Sequence, residues 1–119
     1  MILVADVDGE AARLLADYLA RHGFKVKSTS SGQAVLALAR SRRLGLAIVD
    51  MALKDMSGPA LAARLKEVNA TIPVLMTSAD NRPELEMQAR QTGIIYYTHK
   101  PTNYRRVQAV VEKALRNAV

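Results

Sequence analysis

The sequence predicts an α/β protein built on a single doubly wound sheet of five parallel strands. Short, β-rich apolar runs alternate with longer stretches in which apolar residues recur at helical spacing. The central runs lack polar alternation, which is typical of strands covered on both faces, and the long connections favour right-handed crossover helices. With 119 residues, 50% of them apolar, the chain is predicted to form one domain, residues 1–119, with a substantial core.

The first half of the chain contains three predicted strands and two predicted helices. In order, these are strand 2–5, helix 10–21, strand 24–28, helix 31–41 and strand 46–49. Apolar residues recur on one face of the first helix, and Gly23 suits the left-handed position that follows a helix. The run 24–28 alternates as a half-buried edge strand does, whereas 46–49 is fully apolar and is followed by an acid.

The second half continues the same alternation. In order, its predicted elements are helix 58–68, strand 73–76, helix 83–91, strand 94–98 and helix 103–117. Pro59 occupies a first helical turn, where its missing N–H has no partner to lose, and Gly93 ends the short fourth helix. The last helix carries an apolar stripe that includes Val107 and Val111. No repeat, linker or low-complexity stretch interrupts the pattern.

Composition excludes several classes of protein. The chain has no cysteine, which excludes disulfide scaffolds, thiolate zinc sites and cysteine nucleophiles, and fits the reducing cytoplasm. No apolar run approaches the roughly 20 residues that span a bilayer, and the opening segment carries an acid where a signal peptide carries basic residues. The net charge of +6 comes from scattered basic residues without interleaved aromatics, which argues against nucleic-acid binding as the main function.

Polar residues gather where the predicted strands end, which is where a parallel sheet binds ligands or carries out reactions. These residues are Asp6, Asp8, Asp50, Thr77, Ser78, His99 and Lys100. The chain has no Gly-rich phosphate loop and no G-x-S-x-G elbow around Ser78, which argues against nucleotide binding and against a Ser-His-Asp triad. Carboxylates beside a hydroxyl and a lysine suit phosphoryl chemistry, because a carboxylate can attack phosphorus while lysine and hydroxyl bind the phosphoryl oxygens.

Four segments carry a family resemblance: in order, ILVADVD, LGLAIVDMALKDMSG, IPVLMTSA and GIIYYTHKPT. Over its full length, the sequence resembles the receiver domain of bacterial two-component response regulators. The most specific part is the second segment, in which Asp50, Met56 and Gly58 have the family's spacing. The Lys100-Pro101 dipeptide, whose peptide bond the family has in cis, is nearly as specific. The resemblance implies a flavodoxin-like (βα)5 fold with strand order 2-1-3-4-5.

The resemblance also implies a function and a set of roles. The domain would act in phosphorelay signal transduction, receiving a phosphoryl group from a histidine kinase or phosphotransfer protein, and would not be an enzyme. Asp50 is the implied phosphoacceptor, Ser78 the switch hydroxyl and Lys100 the phosphoryl contact. Tyr97 falls at the position of the switch aromatic. The implied output surface, residues 83–116, would bind a downstream protein partner or a second copy of the chain.

One departure from the family concerns its metal site. The resemblance implies Mg²⁺ ligands at Asp6, at Asp50 and at the backbone carbonyl of Ala52, but Val7 replaces the second of the family's paired acids. Because Mg²⁺ requires near-octahedral oxygen ligands, we expect Mg²⁺ binding to be weak or absent. Lys100 would then offset much of the charge of the two carboxylates without a metal.

Two alternatives use the same residues. Because one metal ligand is missing, the domain could be a pseudo-receiver, an interaction module that binds its partner without phosphorylation. The segment LVADVDGE also resembles the first motif of haloacid-dehalogenase-type phosphatases, in which Asp6 would be the nucleophile and Asp8 the acid/base. Glu10 stands where that family has Thr, and Asp50 is then unexplained. In the receiver interpretation, Asp8 is expected to cap the following helix. We also expect a single-domain regulator whose output passes through a partner protein.

Overall fold

The sheet and helix arrangement predicted from the sequence is present in a computed structural model, which describes residues 1–116. Within them, five strands alternate with five helices: β1 (Ile2–Ala5), α1 (Gly9–Arg21), β2 (Val26–Thr29), α2 (Gly32–Arg40), β3 (Leu46–Asp50), α3 (Gly58–Val68), β4 (Val74–Ser78), α4 (Pro83–Arg90), β5 (Tyr96–His99) and α5 (Tyr104–Arg116). All strand pairs are parallel, and the order across the sheet is β2-β1-β3-β4-β5. The predicted fold class and strand order are both confirmed.

Two predicted strands begin two residues too early. The edge strand predicted at 24–28 is β2 at Val26–Thr29, because the N–H of Phe24 still donates to the Leu19 carbonyl in the turn that ends α1. The strand predicted at 94–98 is β5 at Tyr96–His99, which follows a turn with Gly93 at φ +79°. The last residue of the predicted helix 103–117 lies outside the described residues.

Two layers of helices cover the sheet and create two hydrophobic clusters. In β3, Ala47 and Val49 contribute to the cluster shared with α2, α3 and α4, whereas Leu46 and Ile48 contribute to the cluster shared with α1 and α5. All five residues of β3 are buried. A central strand covered on both faces explains why its sequence is continuously apolar rather than alternating.

Side-chain caps fix the starts of the first three helices. The carboxylate of Asp8 accepts the backbone N–H groups of Glu10 and Ala11 at 3.1 and 3.2 Å, which confirms the prediction that Asp8 caps α1. Ser31 and Ser57 cap α2 and α3 in the same way. None of the helices within residues 1–116 is long and apolar enough to cross a bilayer.

The end of α2 has an unusual backbone. After the C-terminal cap residue Ser41, Arg42 has a φ of +63°, in the left-handed region. Glycine usually occupies this position after a helix, and a residue with a side chain costs about 1 kcal/mol there. The loop that follows packs beside the first strand, since Gly45 donates its N–H to the carbonyl of Met1 at 2.8 Å.

Candidate functional site

Three charged side chains meet at the carboxyl edge of the sheet. Asp6 follows β1, Asp50 ends β3 and Lys100 follows β5. The Nζ atom of Lys100 lies 2.8 Å from Asp6 Oδ1 and 3.1 Å from Asp50 Oδ2. Both carboxylates are buried, and the lysine side chain is mostly buried. The structure therefore brings together the two acids and the lysine that the sequence placed at three different strand ends.

Backbone N–H groups hold the two carboxylates in place. Asp50 accepts the N–H of Val7 on Oδ2 at 3.2 Å and the N–H of Ala52 on Oδ1 at 3.3 Å. Asp6 accepts the N–H of Asp8 on Oδ1 at 2.9 Å. The loops after β1 and β3 therefore contribute main-chain donors, and Val7 does so whatever its side chain. Among the described residues, Asp50 Oδ1 therefore has one hydrogen-bond donor, whereas Oδ2 has two.

The close packing around Gly58 explains why position 58 of the motif requires a residue without a side chain. A Cβ atom at Gly58 would lie 2.7 Å from the backbone oxygen of Asp50 and 3.0 Å from the Cα of Met51. The start of α3 thus approaches the end of β3 more closely than any other residue type permits. This approach fixes the loop 51–57, which carries Ala52 beside the carboxylate.

The pKa values of the Asp6 carboxyl and the Lys100 ammonium group are both raised, so both groups hold their protons more tightly than usual. Burial has the largest effect on Asp6 and raises the pKa of its carboxyl above the ordinary value, although the hydrogen bond from Lys100 lowers it. For Lys100, burial acts to lower the pKa, but its hydrogen bonds to Asp6 and Asp50 outweigh burial and raise the pKa. The two directions have different causes: burial raises the pKa of Asp6, whereas the two carboxylates beside it raise the pKa of Lys100. Two carboxylates beside one ammonium group leave the site with a formal net negative charge.

Neighbouring hydroxyls at the end of β4 face different sides of the sheet. Ser78 lines the cleft that contains Asp50 and Ala52, whereas Thr77 lines the cleft between α1 and the start of α5. The side chain of Thr77 therefore lies on the other side of the sheet from Ser78. The hydroxyl of Ser78 donates to the carbonyl of Asp80 at 2.7 Å and accepts its N–H at 3.1 Å. It is thus held by the loop after β4 rather than by Asp50.

Tyr97 is buried in the cluster on the α4 side of the sheet. Its ring meets the ring of His99 edge to face, with centroids 5.5 Å apart. Among the described residues, no group hydrogen-bonds to the Tyr97 hydroxyl, which is fully buried. The ring thus packs as a core residue, while its polar atom is unsatisfied. His99 is exposed.

The residues at the site fit Mg²⁺ poorly. The side chain of Val7 is 43% exposed and lines the cleft beside Asp50, where the resemblance implies a second acid. The carboxylate of Asp8 is used by the helix cap. Among residues 1–116, no group of three or more His, Cys, Asp or Glu side chains could hold a metal. Asp6 and Asp50 are already joined through the ammonium of Lys100.

The same geometry does not favour the phosphatase alternative. That chemistry needs Asp6 and Asp8 to reach one substrate, yet the Asp8 carboxylate is turned toward the start of α1. Asp50, which the phosphatase alternative leaves unexplained, is the acid at the centre of the site.

Asp55, in the loop after β3, has a structural role that no motif in the sequence indicates. Its carboxylate accepts the N–H groups of Gly32 and Gln33 at 2.9 and 3.0 Å and the hydroxyl of Ser31 at 3.2 Å. The hydrogen bond from the Gly32 backbone is the main reason that the pKa of Asp55 lies below its ordinary value. Asp55 therefore ties the loop carrying Ala52 to the start of α2. The contact spans more than 20 residues of sequence, so no local pattern predicts it.

Comparisons with known proteins give one consistent result. A family model described as the response regulator receiver domain matches residues 2–112. The transcriptional regulatory protein ZraR of Escherichia coli O157:H7 is 34% identical over 114 residues, which are 96% of this chain and 26% of that protein. The chain thus spans about a quarter of the length of this relative.

Solved structures show the same fold. The receiver domain of NtrX from Brucella abortus is 27% identical with a TM-score of 0.89, and the match covers 98% of both chains. A CheY-like receiver domain protein from Methanospirillum hungatei JF-1 has a TM-score of 0.90 at 22% identity, covering 98% of this chain and 94% of that one. With the family model over almost the whole length, these matches show that the chain belongs to the receiver domains of response regulators, which act in phosphorelay signalling.

Proposed function

We propose that this receiver domain accepts a phosphoryl group on Asp50 from a histidine kinase or phosphotransfer protein in the cytoplasm. The observation that carries the proposal is the position of Asp50, a buried carboxylate at the end of the central strand, held by two backbone N–H groups and the ammonium of Lys100. This arrangement presents a fixed nucleophile beside a cation, as phosphoryl transfer requires.

The transfer step uses the freer oxygen of Asp50. Oδ1 has only the Ala52 N–H as a donor, so its remaining lone pair can attack the phosphorus of a phosphohistidine. The phosphorus–nitrogen bond breaks as the phosphorus–oxygen bond forms, and the imidazole leaves as a neutral ring when its other nitrogen carries a proton. Lys100 remains on Oδ2 and offsets the negative charge that the phosphoryl oxygens bring.

Receiver domains typically bind Mg²⁺ at the phosphorylation site, and we propose that this one binds it weakly. The protein offers two carboxylates and the backbone carbonyl of Ala52, and Val7 supplies no oxygen from its side chain. A carboxylate about 4 Å from a cation contributes a few kcal/mol at the effective dielectric of a protein surface, before hydration is counted. Lys100 is then the main positive charge at the site.

Ser78 and Tyr97 would couple the phosphoryl group to a binding surface. In the proposed switch, the Ser78 hydroxyl leaves the Asp80 backbone and donates to a phosphoryl oxygen, which releases the loop before α4. Tyr97, with its unsatisfied hydroxyl, then repacks against α4. The surface 83–116 would present this change to a downstream partner or to a second copy of the chain. Large apolar side chains are already exposed there: Met87 is 64% and Ile95 is 47% exposed.

Intact-protein mass spectrometry after incubation with acetyl phosphate tests the proposal directly. The samples are the wild-type protein with and without Mg²⁺ and the Asp50→Asn variant under both conditions. We expect a gain of one phosphoryl group in the wild-type protein alone, slow and only weakly dependent on Mg²⁺. No gain under any condition, with the fold intact by circular dichroism, would replace the proposal with a phosphorylation-independent interaction module.

A further inference from the structure

The net positive charge of the chain is concentrated in one stretch of sequence, residues 18–49. Residues 18–49 contain six Lys or Arg residues and no Asp or Glu, so they carry the whole formal charge of +6. The rest of the chain has eleven basic and eleven acidic residues and is balanced. The expectation of scattered basic residues is therefore wrong for this stretch, where basic residues are segregated from acidic ones.

The fold gathers these six side chains around the edge strand. They are Arg21, Lys25, Lys27, Arg40, Arg42 and Arg43, called here the basic edge. All six are exposed, and none forms an ion pair with another described residue. The loops that carry them meet beside the start of β1, because Ile2 donates its N–H to the Lys25 carbonyl and Gly45 donates to the Met1 carbonyl, both at 2.8 Å.

The edge strand itself can pair with a further strand. β2 is the end strand of the sheet and is paired only with β1 in the described residues. The carbonyls of Lys25 and Thr29 accept from β1. Because backbone groups alternate along a strand, those of Val26 and Ser28 point away from β1. Lys27 is in register with Leu3, on the face of the sheet that α2 covers, and α2 ends in Arg40.

The backbone conformation of Arg42 is a second, independent observation that points to a role for the basic edge. It has the left-handed backbone conformation that favours glycine, and its side chain makes no hydrogen bond within residues 1–116. The turn itself is hydrogen-bonded, since the N–H groups of Arg42 and Arg43 donate to the carbonyls of Ala39 and Leu38. The Arg42 side chain, however, makes no hydrogen bond in the described part of the chain that offsets the cost of placing a residue other than glycine there. Such a residue is expected where its side chain binds something outside the domain.

We propose that the basic edge is a docking surface for an acidic, extended polypeptide segment of a partner protein, which adds to the sheet alongside β2. Main-chain hydrogen bonds to Val26 and Ser28 would supply the pairing, and acidic side chains would meet the flanking lysines and arginines. The surface lies near the amino-terminal ends of the strands, whereas Asp50 lies at their carboxyl ends. Docking therefore leaves Asp50 accessible and does not depend on phosphorylation.

Other anionic partners match the surface less well. The helices that contribute to it, α1 and α2, present their C-terminal ends, whose carbonyl groups repel phosphate oxygens. The Phe and Tyr side chains of residues 18–49, Phe24 and Tyr18, are both half-buried against the second cluster, so they offer no open platform on which bases could stack. A main-chain edge is a feature that a polypeptide uses and that a nucleic acid or a lipid surface does not.

Fluorescence anisotropy with a labelled peptide of alternating Glu and Thr, about ten residues long so that it runs past both ends of β2, tests the proposal. The variant Arg40→Gln/Arg42→Gly/Arg43→Gln removes three charges and gives position 42 the residue its backbone favours, so it should fold. The matched control, Arg13→Gln/Arg64→Gln/Lys66→Gln, removes three exposed charges from α1 and α3, outside both the basic edge and the surface 83–116. We expect about tenfold weaker binding for the first variant and little change for the second, because exposed ion pairs each contribute modestly.

Amide chemical shifts locate the bound peptide. With the proposed site, the shifts that move belong to residues 24–30 and 40–45, and the same peptide with Gln in place of Glu binds poorly. Equal losses in the two triple variants, or shifts at Asp50 instead, would overturn the proposal. Tighter binding of duplex DNA or of phosphatidylserine vesicles than of the peptide would also overturn it and identify a different partner.

Discussion

The two sides of Asp50 differ in how fully they are equipped for phosphoryl chemistry. The β4–β5 side supplies a hydroxyl at Ser78 and a cation at Lys100, and both line the cleft that contains Asp50. The β1 side supplies one acid, Asp6, and then an exposed valine at position 7. The components that would bind the phosphoryl group are therefore present, while the components that would bind a metal are incomplete.

This difference shows that two properties of the site are physically separable. The backbone N–H of Val7 still donates to Asp50, so the β1 loop positions the carboxylate as well as an acidic residue at that place would. Valine at position 7 differs from an acid only in its side chain. We expect the missing carboxylate to lower the affinity of the site for a metal. The position of Asp50 depends on main-chain geometry, whereas the metal depends on the charge of one side chain.

Removing Lys100 should have the largest effect, because it takes the single cation from the better-equipped side. We expect Lys100→Ala to slow phosphorylation of Asp50 by acetyl phosphate about a hundredfold, the usual loss when one stabilising group is removed from such a site. The pKa of Asp6 should rise further, since the nearby ammonium favours its charged form. Time courses by mass spectrometry and carboxyl ¹³C titration of Asp6 measure these two effects.

The matched control for that prediction is Lys113→Ala. Lys113 is exposed near the end of α5, so its loss changes the net charge equally without touching the site. The control should phosphorylate at the wild-type rate. If both variants slowed alike, the overall charge would matter and the specific bridge between Asp6 and Asp50 would not.

Restoring an acid on the β1 side should have the next largest effect. In Val7→Asp, a carboxylate replaces an exposed side chain, so the fold should tolerate it. We expect Mg²⁺ affinity to rise by about tenfold, as a third acid joins two, and phosphorylation to become strongly Mg²⁺-dependent. Titration calorimetry with MgCl₂ measures the affinity, and Val7→Asn, which adds an oxygen without charge, is the control. Unchanged Mg²⁺ binding would remove Val7 from the explanation.

The better-equipped side was also the easier one to predict from sequence. Fully apolar strands such as β3 have a strong local signal, and the rule that parallel strands end at one edge brings Asp50 and Lys100 together without any structure. What sequence could not give were contacts between distant loops. The clamp from Asp55 to Gly32 and the hydrogen bonds that hold Ser78 to the Asp80 backbone depend on how loops pack, and packing leaves no periodic pattern in either segment.

Asp8 provides a smaller test of the β1 side. Because its carboxylate caps α1, Asp8→Ala should lower the free energy of unfolding by about 1 kcal/mol, and Asp8→Asn should restore most of that loss. Neither variant should change Mg²⁺ affinity, since the cap keeps the carboxylate away from Asp50. Urea unfolding and the same calorimetric titration measure the two quantities. Weaker Mg²⁺ binding in Asp8→Ala would mean that this acid substitutes for the one missing at position 7.

The smallest expected effect is a pH dependence whose sign differs between two acids. Burial raises the pKa of Asp6 in the folded protein, so its contribution to stability is complete below the ordinary value of 3.8 and is lost as pH rises through the folded pKa. The pKa of Asp55 is lowered, first by its hydrogen bond from Gly32, so its contribution is present above 3.8 and lost as pH falls. The two acids therefore act in opposite directions below neutral pH.

Urea unfolding of the wild-type protein, Asp6→Asn and Asp55→Asn, each at neutral and at mildly acidic pH, separates them. As the pH falls, the wild-type protein should gain stability relative to Asp6→Asn and lose stability relative to Asp55→Asn. All other titrating groups are common to the three proteins, so each difference isolates one carboxyl. If the Asp6 difference had the same sign as that of Asp55, Lys100 would outweigh burial, and the site would hold its charges as a satisfied ion pair. It would then not be the under-neutralised cluster that gives Lys100 its proposed role.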